Sequence, residues 1–174
     1  NEADRVGDTL DALAAALPGV RLWVADDASE DGSAEVAKRH GAKVVSRERP
    51  RGKGGNMTAA AEAALSELGG EATVLLCDAD LGSSARALPA LVESVEAGKC
   101  DLAVAAFERR EGGGFGLALG YARRRIEELC GFRAEAPISG QRAMRSEVLR
   151  DVLPFADDFG MEIGITVDAV RAGY

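Results

Sequence analysis

The sequence predicts an α/β protein of Rossmann-like type, with a mainly parallel central sheet and helices on both faces. Two observations predict it. Short apolar runs alternate along the chain with segments of helical period. Three polar clusters, Asp26-Asp27, "RPRGKGG" (49–55) and Asp78-Ala79-Asp80, each follow one of those runs. All three therefore fall at the carboxyl ends of strands, the edge at which open α/β sheets take ligands.

The elements follow in order. Val6, Leu10, Leu13, Ala14 and Leu17 recur at helical spacing from residue 1 to 17, and Pro18-Gly19 stops that helix. "VRLWVA" (20–25) is the first strand, and "DGSAEVAKRHG" (31–41) is a helix closed by Gly41. "AKVVSR" (42–47) is a second strand, and an alanine-rich helix covers 54–70. The run 73–77 is a third strand, followed by a helix over 84–97 and a fourth strand over 101–107. "EGGGFG" (111–116) is a turn, with helices predicted over 117–129 and 159–173. Asn1 opens at a helix start with no strand before it, and Tyr174 follows a helix that leads nowhere. The expectation is one domain over 1–174 that lacks its first strand and a C-terminal segment. Residues 1–80 hold all three polar clusters, and 81–174 form a second half.

Composition narrows the functions. The 174 residues are 47% hydrophobic and 29% charged, ordinary for a globular domain. A net charge of −8 argues against general affinity for nucleic acid. Three scattered cysteines (77, 100, 130) and the single His40 give no zinc or disulfide spacing and fit a reducing cytosol. No apolar run approaches the roughly 20 residues of a membrane span, and no leader peptide is visible.

Each cluster has a bland and a sharp reading. Asp78 and Asp80 would, in the bland one, form a polar turn whose second aspartate caps the following helix. In the sharp one they share a hard divalent cation and leave positions open for phosphate oxygens. The other polar loops on the same edge favour the second. In "ADDASEDGS" (25–33), Ser29 and Asp31 suit a helix cap. Asp26 and Asp27 are acceptor-only groups suited to a ribose hydroxyl or a base N–H. "RPRGKGGNM" (49–57) is not a phosphate-binding loop of Walker type. On its own it is an exposed basic turn; beside the acidic clusters Lys53 becomes a partner for a nucleotide.

An acidic pair, then G-K-G, then D-x-D, each after a strand, resembles the family 2 type of glycosyltransferases with the GT-A fold. The opening "NEAD" is similar to the end of that family's P-A-Y-N-E segment. The resemblance implies that Asp78 and Asp80 bind Mg²⁺ or Mn²⁺ on a nucleotide-diphospho-sugar, UDP- or GDP-linked. It implies that Asn1, Glu2, Asp26, Asp27, Lys53, Gly54, Asp78 and Ala79 line the donor site. "GGGFG", "PISGQRAM" and "GFGMEIGITVDAVRAGY" resemble the acceptor side of the polyprenyl-phosphate sugar transferase and glucosyl-3-phosphoglycerate synthase branch. By that match Gly114, Phe115, Gln141 and Arg142 are acceptor-side, and Glu162 lies near the transferred sugar. Asp80 and Glu162 are then the catalytic pair. Those synthases carry an arginine where Phe115 stands, which argues against phosphoglycerate as the acceptor.

The chemistry implied is hexose transfer with metal stabilisation of the leaving diphosphate, assisted by Lys53 or Arg142. A hydroxyl acceptor needs a general base. The only acidic candidates near the expected site are Glu162 and Asp157 or Asp158, which favours an acceptor that is already anionic, such as polyprenyl phosphate. Arg109-Arg110 and Arg123 to Arg125 flank "GGGFGLALGYA". They read either as a solvated basic face or as a loop in peripheral contact with anionic lipid. A homodimer is compatible with this branch. Two rivals remain. A dehalogenase-type phosphatase would place its D-x-D on the first strand and would not have Gly82 in the following slot. A non-catalytic nucleotide-sugar-binding module would keep the pocket without turnover.

Overall fold

A computed structural model describes residues 1–106, 115–157 and 160–174. Gly114, Asp158 and Arg109-Arg110 lie outside the described residues, as does most of the predicted turn at 111–116. The order is α1 (Ala3–Ala16), β1 (Trp23–Asp26), α2 (Ser33–Arg39), β2 (Lys43–Ser46), α3 (Gly52–Ser66) and β3 (Thr73–Leu76). A 3₁₀ turn (Gly82–Ala87) then leads into α4 (Pro89–Glu96) and β4 (Leu102–Val104). After them come α5 (Phe115–Cys130), β5 (Arg142–Arg145), α6 (Ser146–Asp151) and α7 (Met161–Arg171).

The α/β class and the alternation hold, but the sheet differs from the expected, mainly parallel one. Among the described residues β1 and β2 pair in parallel, Trp23 opposite Lys43. The other ladder has the order β3-β5-β4 and is antiparallel at both junctions. Its middle strand, β5, was not foreseen. It inserts between β3 and β4, which run in the same direction but never touch as a pair. The predicted helix over 84–97 is also broken. Pro89 has no N–H to donate, so the 3₁₀ turn ends and α4 restarts with proline in its first turn.

Helices do cover both faces of the antiparallel sheet, and the pleat shows how. On β5 the neighbours Ala143 and Met144 point to opposite sides. Ala143 packs with Val95 and Leu91 of α4, whereas Met144 packs with Leu76, Val148, Leu149, Met161 and Ile165. Fully buried Met144, Val148, Leu149, Met161 and Ile165 each contribute on the order of 1.5–3 kcal/mol. The two sheets share no ladder, and α1 joins them. Val6 and Leu10 pack with Val24 and Val44 of the parallel pair, while Ala12 and Leu13 pack with Leu75 and Cys77 beside β3.

Helix α3 begins two residues earlier than expected and leans hard on the chain that precedes α7. A Cβ on Gly54 would run into the carbonyl oxygen of Ala156. No side chain can occupy that space without moving backbone. Alanine gains about 1 kcal/mol of helix propensity over glycine, but overpacking costs about 1–3 kcal/mol, and here the obstacle is rigid. Gly54→Ala is therefore expected to lower the midpoint of urea unfolding despite its better propensity. An unchanged or raised midpoint would mean that the approach of α3 to Ala156 is looser than described.

Candidate active site

The carboxyl ends of β1, β2 and β3 carry the residues singled out above. Asp78 follows β3, and both its oxygens are engaged. Lys53 Nζ donates to Oδ1 at 2.8 Å, and Gln141 Nε2 donates to Oδ2 at 2.7 Å. Lys53 also donates to Glu162 Oε1 at 2.8 Å. One ammonium thus joins α3, the end of β3 and the first turn of α7. Glu162 is 8% exposed at its side chain. The N-terminal end of α7 favours its negative charge. Gly140 completes the seat: a Cβ there would come within 2.8 Å of both Asp78 carboxylate oxygens.

Burial alone would lower the Lys53 pKa. The hydrogen bonds it donates to Asp78 and Glu162, with their negative charges, outweigh it and hold the ammonium above its ordinary 10.5. Cys77, next in sequence, is pushed up to about 12 by burial and by the charge of Asp78, so it remains a thiol. Asp80 is different. Its carboxylate is 45% exposed and meets Arg5 at 3.6 Å. Among the described residues no group of three or more His, Cys, Asp or Glu side chains is gathered for a metal. A cation held by this turn would complete its shell with water and phosphate oxygens, as magnesium commonly does.

The acidic pair after β1 has a structural task. Asp27 accepts the backbone N–H groups of Arg51 at 2.9 Å and Gly52 at 3.0 Å, at the open N-terminal end of α3. Asp26 is buried and accepts Ser29 N–H at 3.3 Å. The turn between them is strained: Ala28 has φ +61, a left-handed conformation for a residue with a Cβ. The N-terminal segment is laced to this loop. Asn1 Oδ1 accepts Glu30 N–H at 2.9 Å, and Glu2 N–H donates to Ser33 Oγ at 2.7 Å. Asp31 accepts from Ser33 and from Ala3 N–H, which hold its carboxyl down to about 2. Asp31 thus serves the start of α2, as the bland reading has it.

Two acceptor-side expectations need correction. Arg142 does not face an acceptor. It is fully buried, and its guanidinium donates to the carbonyls of Ser139 at 2.8 Å and Pro137 at 3.2 Å and to Thr166 Oγ1 at 2.8 Å. Burial lowers its pKa to about 10, partly offset by Glu162. It pins the loop before β5 to α7 and so aligns Gln141 with Glu162. Gln141, too, is spent on Asp78. Gly54 is packed against Ala156 rather than opened to a ligand, and the Ala79 carbonyl accepts from Thr9 at 2.8 Å. Phe115 begins α5. Thr9 was missed, because a lone threonine inside an amphipathic helix carries no motif signal.

The α/β frame with one antiparallel strand inserted has known relatives. Glycosyl transferase family 2 matches residues 1–153, and the chain belongs to that family. An uncharacterized glycosyltransferase of Mycobacterium tuberculosis is 40% identical over 92 residues, 52% of this chain and 39% of its own length. The structure of M. tuberculosis glucosyl-3-phosphoglycerate synthase in complex with UDP is similar at 30% identity with a TM-score of 0.74. That match covers 99% of this chain and 63% of the other. Mannosyl-3-phosphoglycerate synthase of Rubrobacter xylanophilus is similar at 31% identity and a TM-score of 0.74, over 98% of this chain and 58% of its own. The M. tuberculosis synthase with Mn²⁺ and UDP-glucose matches at 27% identity, a TM-score of 0.74, and 99% and 62% coverage. The chain therefore spans less than two thirds of each of these relatives.

A lysine whose folded pKa is raised lends stability that is full below 10.5 and is lost as pH climbs through the folded value. Lys53→Met is expected to lower Tm by a constant amount between about pH 7 and pH 9, with the gap closing only at higher pH. A gap already closed by about pH 9 would contradict the double ion pair.

Proposed function

We propose that this chain is the core of a metal-dependent glycosyltransferase that moves a hexose from a UDP-linked donor to a phosphate-bearing acceptor. The observation that carries the proposal is the Lys53 bridge between Asp78 and Glu162, beside an Asp80 carboxylate half open to solvent. The relatives' complexes with UDP and with Mn²⁺ support the choice of donor and ion. The donor chemistry fits: hard carboxylate oxygens suit Mg²⁺ or Mn²⁺. Of Asp78 and Asp80, the pair expected to hold the metal, Asp80 is the more available oxygen donor among the described residues, because each Asp78 oxygen already accepts a hydrogen bond from Lys53 or Gln141.

Bound there, the ion stabilises negative charge on the departing diphosphate. Lys53 adds a permanent positive charge at the same edge and keeps the two acids, Asp78 and Glu162, from repelling one another. Glu162, held by that lysine at the start of α7, is aimed to accept hydrogen bonds from hydroxyls of the transferred sugar. Residues 1–80 take the donor and 81–174 face the acceptor, with Glu162 reaching from the second part into the first. An acceptor phosphate is largely ionised at neutral pH and needs no strong base.

UDP with Mn²⁺ is expected to raise Tm, since a ligand that binds only the folded state stabilises it. At a hundredfold excess over Kd the gain is about 2.7 kcal/mol, roughly 5–10 °C for a domain of this size. Asp80→Ala should abolish the metal-dependent part of the shift. GDP matching UDP would change the donor, and an unaltered shift in Asp80→Ala would remove the metal assignment. Release of UDP from UDP-glucose by the full-length protein separates the enzyme from a binding module.

A further inference from the structure

Asp78 and Asp80 sit two residues apart, yet they are held in different ways. Asp78 is fixed through its carboxylate by Lys53, Gln141 and the close approach of Gly140. The Asp80 carboxylate has only the exposed Arg5 at 3.6 Å among the described residues. Exposed pairs of this kind contribute little. What places Asp80 is the backbone on either side of it, and that backbone is tied to one buried hydroxyl.

Thr9, in the middle of α1, is 2% exposed. Its hydroxyl donates to the Ala79 carbonyl at 2.8 Å, and its oxygen accepts Gly82 N–H at 2.8 Å. Ala79 and Gly82 bracket Asp80. A threonine inside a helix ordinarily turns its proton back to the carbonyl four residues earlier. That contact, to Arg5, is the longer one here at 3.1 Å. Loss of the hydroxyl would strand a carbonyl and an amide where little water reaches, at a cost of the kind that drives a loop to rearrange.

We propose that Thr9 is a positioning residue that presents the Asp80 carboxylate to the divalent cation. The proposal rests on the donor-site reading above. Thr9→Val keeps the volume and removes the hydroxyl, Thr9→Ser keeps the hydroxyl, and Val6→Ala destabilises the same helix without touching the turn. Two readouts apply: amide exchange at Gly82 in metal-free protein, and calorimetric titration with UDP at graded Mn²⁺.

In wild type the Gly82 amide should exchange slowly. In Thr9→Val it should exchange faster, and Mn²⁺-dependent UDP affinity should fall about tenfold or more, the usual effect of removing a group that orients a ligand. Thr9→Ser should stay near wild type, and so should Val6→Ala in affinity. Thr9→Val binding within about twofold of wild type, or Val6→Ala weakening as much, would overturn the proposal while the donor site stands. Wild-type protein that binds UDP without regard to metal would overturn both. If Thr9→Val does not fold, an unprotected Gly82 amide in wild type is enough to overturn the clamp, and a protected one supports it.

Discussion

The Lys53 ammonium, shared between Asp78 and Glu162, is the contact on which the rest of the site depends. Three elements distant in sequence meet at that one nitrogen. For it to reach both acids, α3 has to begin close to the end of β1 and to lie against the chain before α7. The first condition is met by Asp27, which accepts the two backbone amides at the helix start. The second is met by Gly54, which lets α3 touch the Ala156 carbonyl. Arg142 secures the far side by binding the loop at 137–139 and Thr166 of α7 together. A change at any of these points reaches Lys53 through backbone, without altering a group at the site.

Charge explains why so much structure serves one lysine. The protein carries a net charge of −8, and a diphosphate is repelled by such a field unless cations are placed locally. Two carboxylates converging on one spot would also repel each other. Lys53 answers both demands, and its raised pKa keeps it charged throughout the neutral range. The same logic separates the two aspartates of the D-x-D turn. Asp78 is neutralised within the protein, whereas the Asp80 carboxylate stays half open to solvent, where the proposal above seats a cation.

The placement of the candidate site residues was legible in the sequence because they stand at strand ends. Apolar runs followed by Asp26-Asp27, Lys53 and Asp78-Ala79-Asp80 put these residues at the carboxyl ends of strands without any tertiary knowledge, although β1 and β2 lie in one sheet and β3 in another. What those residues bind was less legible. Asp27 caps a helix that starts 25 residues later, and no local pattern announces such a partner. Strand β5 escaped because it opens on Arg142 and closes on Arg145, and a buried arginine is rare enough that the segment reads as a loop. Antiparallel insertion of β5 escaped with it. Thr9 was invisible for a simpler reason: its partners, Ala79 and Gly82, contribute only backbone atoms.

Lys53 couples the end of β3 to the first turn of α7, and a double-mutant cycle tests that coupling most directly. Lys53→Met, Glu162→Gln and the double variant would be unfolded in urea alongside wild type. Groups in direct contact within one network are expected to show a coupling of about 0.5–3 kcal/mol, with the double variant less destabilised than the sum of the single ones. Additivity to within about 0.3–0.5 kcal/mol would show that the two side chains do not interact, and the account of the site would fail with that contact.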